Sequence, residues 1–284
     1  MTKKKIGFID LHIDEWHANN YPGWIRERAL AKDFELVYAW EESPNPEGRP
    51  LVEWCRDFNM TPAASAAEVV EKSDAIIVLA PSNPEAHSRL ADLALKSGKP
   101  LFVDKPFAPN RKEAEGMFAL AREYKTPLMS SSALRYGNGL RAALKDTFAA
   151  KKPDFAATTG GGGNFPEYAI HQLEMIVAAL GVGARRIKHN LDGKKLHMLI
   201  EYQDGRYAAT TYHSWLSYTA ALANNDTGAM VTDMDQMFEN LLDDVLQFFN
   251  TGISPIPAEE TIEIAAILGA AVRGMSCPGS WVDL

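Results

Sequence analysis

The sequence predicts an α/β protein in two parts: a doubly wound parallel sheet first, then an α+β domain with a mainly antiparallel open sheet. Two observations predict this. Over residues 1–133, short and almost wholly apolar runs alternate with helical patterns, as strands covered on both faces do. After Arg135 the strands follow one another directly, with Asp-Gly turns between them that mark hairpins. The expected domains are therefore residues 1–133 and 134–284.

In the first part, residues 6–10 form a strand. A helix begins near Pro22 and runs through Trp24, Ile25, Ala29 and Leu30. Residues 34–40 form the second strand, ended by Glu41 and Glu42, and a Pro/Gly-rich loop at 43–50 leads to a helix over 51–58. Ser65 and Glu68 form a capping box that opens a helix at 66–72. Residues 74–80 make the clearest buried strand. It ends in Pro81, Ser82, Asn83 and Pro84, and His87 opens a helix that runs to Lys96. Residues 101–103 form the next strand, Asn110 and Glu113 cap a helix to Tyr124, and a sixth strand lies near Leu128.

The second part opens with a helix over 139–150 and a strand over 154–159, followed by four consecutive glycines, 160–163. A helix follows with Pro166 in its first turn and Gly181 at its end. Strands at 186–191, 196–202 and 206–213 are separated by Asp192-Gly193 and Asp204-Gly205. Helices at 234–249 and 258–273 and an edge strand at Trp281, Val282 and Asp283 complete the chain.

Composition narrows the function. The chain has 284 residues, 46% hydrophobic and 23% charged, with a net charge of −8, which argues against a nucleic-acid partner. No run approaches about 18 apolar residues, so no membrane span is expected. Lysines 3–5 resemble the start of a signal peptide, but only Ile6, Gly7, Phe8 and Ile9 precede Asp10, too short an apolar stretch. Cys55 and Cys277 are expected as free thiols in the cytoplasm.

Two stretches carry chemistry. Leu101, Phe102 and Val103 run into Asp104, Lys105 and Pro106. This places Lys105 at the carboxyl end of a parallel strand, where such sheets bind ligands. A partly desolvated lysine there can serve as an acid or base near neutral pH. From these six residues alone, the plainer reading is an exposed lysine at a loop start. In the helix after the glycines, Glu167, His171 and Glu174 fall at i, i+4 and i+7, one stripe of one face. Such carboxylates can orient a histidine for proton transfer. A solvated face or a satisfied core histidine accounts for the pattern equally well.

Together these pieces resemble the Gfo/Idh/MocA family, the relatives of glucose–fructose oxidoreductase and inositol dehydrogenase. The block from Leu95 to Pro106 resembles the family's Glu-Lys-Pro region, with Asp104 in place of Glu. Ala80, Pro81, Ser82 and Asn83, with His87 behind them, resemble the loop after strand four, and Arg135 resembles an arginine after strand six. Glu167 and His171 take the family's Asp-x-x-x-His positions, and Glu174 takes that of a second acid. Ile253, Ser254 and Pro255 with Glu259 and Glu260, followed by Trp281 and Val282, resemble the family's C-terminal pattern.

The resemblance implies a Rossmann-like first domain and an NAD(P)-dependent oxidoreductase acting on a sugar, polyol or related hydroxy compound. Lys105, His171 and Glu167 would be catalytic. Lys105 would bind the hydroxyl and make it more acidic, His171 would carry the proton, and Glu167 would orient His171. Lys105, Glu167, His171 and Glu174 would bind substrate. Asp10, His12, Glu41, Ala80, Pro81, Ser82, Asn83, His87, Asp104, Lys105 and Arg135 would line the cofactor. The second sheet would form a homodimer or homotetramer. Substrate selectivity would rest on second-domain side chains, among which Tyr168, His213 and Trp215 are candidates.

The front departs from the family. In place of a G-x-G-x-x-G turn stand Asp10, Leu11, His12, Ile13, Asp14, Glu15, Trp16 and His17, with no glycine between Gly7 and Gly23. Acids beside a diphosphate cost binding energy. Glu41, at the end of strand two, favours NAD over NADP, whose 2′-phosphate it would repel. Two other readings follow from this loop. One is a family member that has lost redox function and only binds a sugar-like ligand or partner. The other is a metal-dependent hydrolase using His12, Asp14, Glu15 and His17, whose spacing matches no standard metal signature. Gly160 to Gly163 lack a following Lys-Ser or Lys-Thr, and read as a flexible lid or close-approach loop.

Overall fold

The computed structural model describes residues 2–192 and 195–284. The chain divides into two compact units: Met1–Ala108, Glu113–Ser131 and Leu241–Pro257 in the first, Pro109–Lys112, Ser132–Asn240 and Ala258–Leu284 in the second.

The first part of the chain forms β1 (Lys4–Asp10), α1 (Trp16–Arg26), β2 (Phe34–Glu41), α2 (Leu51–Asp57), β3 (Thr61–Pro62), α3 (Ala66–Lys72), β4 (Ala75–Val78), α4 (Pro84–Leu90), α5 (Asp92–Leu95), β5 (Leu101–Val103), α6 (Arg111–Glu123) and β6 (Leu128–Met129). The six strands make one sheet in the order β3-β2-β1-β4-β5-β6, with every pairing parallel. β4 and β5 are wholly buried, which is why they read as unbroken apolar runs. Gly7 stands where α3 approaches β1: a Cβ there would run into Val69 and Ser73. Remote in sequence, Leu241–Pro257 joins this unit. Phe249 meets Phe34 edge-on, and the Lys4 ammonium donates to the carbonyls of Phe249 (3.0 Å) and Asn250 (3.2 Å).

Several boundaries differ from the sequence reading. α1 starts at Trp16, six residues before Pro22, because the Glu15 carboxylate caps it and Pro22 is accommodated inside. Residues 29–33 form a separate 3-10 turn. Pro84, not His87, opens the helix after β4, as its missing N–H suits a first turn. The capping box at Ser65 is present: its hydroxyl accepts the Glu68 N–H, and the Glu68 carboxylate accepts the Ala64 N–H.

The second part forms α7 (Asn138–Ala142), β7 (Phe155–Gly160), α8 (Phe165–Leu180), β8 (Ala184–Asp192), β9 (Lys195–Tyr202), β10 (Tyr207–Tyr212), β11 (Thr219–Ala223), β12 (Gly228–Val231), α9 (Met237–Thr251), α10 (Ala258–Gly274) and β13 (Trp281–Asp283). A π turn, Ala143–Thr147, follows α7 where a continuous helix is expected. The seven strands lie in the order β12-β11-β7-β10-β9-β8-β13. β8, β9 and β10 are antiparallel neighbours as the turns predict, while β7 joins β10 in parallel. Gly205 adopts φ +89° at its turn, and Gly193 lies outside the described residues. β11 and β12 escape the sequence reading because small residues such as Ala220, Ala221 and Ala223 give little alternating contrast. One face of the sheet packs on α8 and α10 through Ile187, Met198, Ile200, Leu173, Ile176 and Ile267.

Candidate active site

In the first unit, β5 delivers Asp104 and Lys105 to its carboxyl end, and the Asp104 N–H continues the ladder to the Val78 carbonyl (2.9 Å). Lys105 is 9% exposed, and its ammonium donates to the Pro81 carbonyl (3.2 Å). His87 is buried between the two loops that meet there. Its ring nitrogens lie 3.1 Å from the Ala80 carbonyl and 3.1 Å from that of Phe107. Burial pushes the imidazole down from its ordinary value. His87 is thus a clamp between the segments before and after Lys105, without a face for a cofactor. Ala80 holds φ +75°, a left-handed conformation uncommon for a residue with a Cβ, in the loop this clamp fixes. Beyond it Ser82 is exposed, and the Asn83 amide donates to Glu85 (3.3 Å).

Asp104, expected to line the cofactor, is fully buried instead. Its Oδ2 lies 2.5 Å from His17 Nδ1. Burial, and secondly the Asp104 charge, raise the Tyr21 hydroxyl well above its ordinary value, and the Tyr21 ring stacks on His17 (5.2 Å between centroids). Burial works to raise the Asp104 carboxyl, but the charge and hydrogen bond of His17, with Lys105 beyond, hold it below its ordinary value.

The turn after β1 is lined by acids turned onto its own backbone. Asp10 Oδ1 accepts the N–H groups of Leu11 (2.6 Å) and His12 (3.3 Å). Glu41 Oε2 accepts Ile13 N–H (2.9 Å). Glu15 accepts the first-turn N–H groups of α1, from His17 (2.8 Å) and Ala18 (2.5 Å). Burial, and secondly the Glu15 charge, push the Asp10 carboxyl well above its ordinary value; burial also raises Glu15. The four candidate metal ligands part company. His12 Nδ1 contacts the Ser43 carbonyl (2.7 Å), Asp14 is held down to about 2 by its hydrogen bond with Arg49, Glu15 caps α1, and His17 turns to Asp104. Among the described residues no three His, Cys, Asp or Glu side chains are grouped to hold a metal ion.

A dinucleotide places its diphosphate on the N–H groups of this turn and of the α1 N-terminus. As folded, that end of α1 does not fit a diphosphate, because its donors already face carboxylates of the chain.

In the second unit, Asn164 caps α8 by accepting the Glu167 N–H (3.0 Å). Glu167 and His171 follow, half-buried and one turn apart. Ser132 Oγ lies 2.7 Å from His171 Nδ1, a contact without any signal in the sequence. The rings of Tyr168 and Tyr218 meet that of His171 edge-on, at 5.8 and 5.5 Å. Glu174 shares the stripe but points inward. It accepts the Ser132 N–H (3.0 Å) and Arg135 Nε (2.7 Å), while Arg135 also pairs with Glu260 (2.6 Å). Burial opposes the Arg135 charge, but its two carboxylates raise the guanidinium above its ordinary value. Glu174 and Arg135 are therefore a buried ionic pair with Glu260, where the resemblance puts a substrate ligand and a cofactor ligand.

The glycine run is a close-approach loop. The hydroxyls of Tyr212 and Tyr218 donate to the carbonyls of Gly162 (3.0 Å) and Gly161 (2.5 Å). A Cβ on Gly160 or Gly162 would strike the Tyr218 or Tyr168 ring, and Gly162 holds φ +145°. In the following loop Trp215 is 90% exposed, and its backbone N–H donates to His213 Nδ1 (3.4 Å).

Residues 21–132 match the oxidoreductase family described as having an NAD-binding Rossmann fold, Gfo/Idh/MocA. A dTDP-3,4-didehydro-2,6-dideoxy-α-D-glucose 3-reductase of Actinomadura kijaniata is 31% identical over 108 residues, covering 33% of this chain. The matched stretch is 32% of that relative's own length. Among solved structures, a myo-inositol dehydrogenase of Lactobacillus casei, in complex with NAD(H) and myo-inositol, superposes with a TM-score of 0.80 at 14% identity, over 100% of this chain and 97% of that one. The WlbA dehydrogenase of Bordetella pertussis, in complex with NADH and UDP-GlcNAcA, gives 0.77 at 14% identity, over 99% and 98% of the chains. At such identity the superpositions show a shared fold. Residues 21–132 thus match the Gfo/Idh/MocA family in sequence, and the whole chain shares the fold of these solved structures.

Proposed function

We propose that the protein is an NAD(P)-dependent oxidoreductase acting on a CH–OH group, or the matching carbonyl, of a sugar, polyol or related compound. The observation that carries this reading is Lys105, nearly buried at the carboxyl end of β5 with its ammonium on the Pro81 carbonyl. Named relatives act on or bind a nucleotide-linked deoxysugar, myo-inositol and a UDP-sugar, which supports this substrate class. A nicotinamide would exchange the hydride, and the chain's own residues would manage the proton. Lys105 would donate a hydrogen bond to the substrate oxygen and stabilise it as an alkoxide. His171 would take the proton, steadied by Ser132 at Nδ1, with Glu167 one turn before it. Glu41 favours NAD over NADP. A homo-oligomer would pair the outer face of the second sheet, where Phe155, Leu199, Tyr207 and Met230 are exposed.

The test is nicotinamide-coupled turnover of a panel of polyols, sugars and nucleotide sugars. Lys105→Ala and His171→Ala are each expected to lower kcat by about 10²–10⁴ with unchanged circular dichroism and melting temperature. Full activity in either variant removes that residue from the mechanism. A second reading, a non-redox member binding a sugar-like ligand, is favoured by the Glu15 cap on α1. It stands if neither NADH nor NADPH binds while a sugar or polyol does.

A further inference from the structure

The turn after β1 and the first turn of α1 carry the N–H groups that should meet a dinucleotide. Five of these face an acid of the chain: Leu11 and His12 bond to Asp10, Ile13 to Glu41, and His17 and Ala18 to Glu15. The Glu15 N–H itself bonds to the Ile13 carbonyl (3.0 Å). Glu15 holds the axial position, one carboxylate oxygen on each of two N–H groups at the positive end of an 11-residue helix. That is the arrangement a phosphate adopts there. The chain thus carries its own anion where the family's glycines leave room for one.

We propose that Glu15 is an internal competitor of the cofactor diphosphate, and that dinucleotide binds only by displacing its carboxylate from the α1 N-terminus. This rests on the dinucleotide reading above. Glu15 then sets cofactor affinity through two effects of one sign. An intramolecular group competes at high effective concentration, and its charge repels the diphosphate when displaced.

The experiment measures NADH affinity of the full chain by calorimetry, with tryptophan quenching as a second readout, since Trp16 and Trp24 lie together at this helix. Glu15→Ser removes the charge but keeps a side chain that can cap a helix. Glu15→Gln removes the charge at nearly constant volume. Glu27→Gln, an exposed acid at the other end of α1, controls for net charge. Thermal melts verify that each variant is folded. The expected result is a Kd for NADH at least about tenfold lower in both Glu15 variants than in the parent, a shift of roughly 1.4 kcal/mol, with Glu27→Gln unchanged. Equal or weaker binding by folded Glu15 variants, where the parent binds NADH, overturns the inference and leaves the proposed function standing. No binding by any of the four proteins overturns both.

Discussion

Asp10→Asn tests whether the front turn carries an uncompensated acid. Asp10 is 1% exposed, its Oδ1 accepts two backbone N–H groups, and its Oδ2 is buried without a partner among the described residues. Glu15 and Asp104 add negative charge nearby. Asparagine preserves the acceptor at Oδ1 and replaces the orphaned oxygen with an amide that can donate toward the neighbouring carboxylates. Leaving a buried polar atom unmatched costs about 1–3 kcal/mol, so the variant should be more stable by that amount at pH 8. For a chain this size the corresponding melting shift is about 2–4 °C per kcal/mol. The pH dependence fixes the sign. The folded carboxyl sits above its unfolded value of about 3.9, so between the two values the folded state binds the extra proton. Asp10's contribution to stability therefore falls as pH rises from about 4 through the folded value. The advantage of Asp10→Asn should be small near pH 4 and grow toward pH 8 in paired thermal or urea unfolding. A variant less stable at pH 8, or a difference that stays flat with pH, would refute the reasoning.

Two further outcomes concern the second unit. Ser132→Ala should change the balance of the two His171 ring tautomers by nitrogen NMR, while Ser132→Thr retains the native balance; unchanged ring shifts in Ser132→Ala would free His171 from Ser132. Arg135→Met strands the Glu174 and Glu260 carboxylates and should cost about 3–5 kcal/mol in urea unfolding. Arg135→Lys should also lose stability, because an ammonium cannot reproduce the two-pronged contact. A loss under about 0.5 kcal/mol in Arg135→Met would show that the pair is dispensable.

The sequence by itself determined the fold class and the placement of Lys105 and His171. Residues 75–78 and 101–103 are apolar throughout because the sheet is covered on both faces, so they stand out without partners. Asp204-Gly205 announces its hairpin because the turn requires a residue free to adopt positive φ. The Asn164 cap, the first-turn Pro166 and the closing Gly181 bracket α8 locally. What only the tertiary structure decided is which polar side chains are free. Glu174 lies on the same helical stripe as Glu167, yet Ser132 and Arg135 claim it from 39 to 42 residues away in sequence. Asp104 turns to His17, and His87 joins two loop carbonyls. Spacing along a helix fixes the direction a side chain points, but its partners come from segments brought alongside by packing. Glu15 is the sharpest case. In sequence it is one more acid in an unfavourable loop; in the fold, its carboxylate closes the helix end on which a cofactor's phosphates would have to rest.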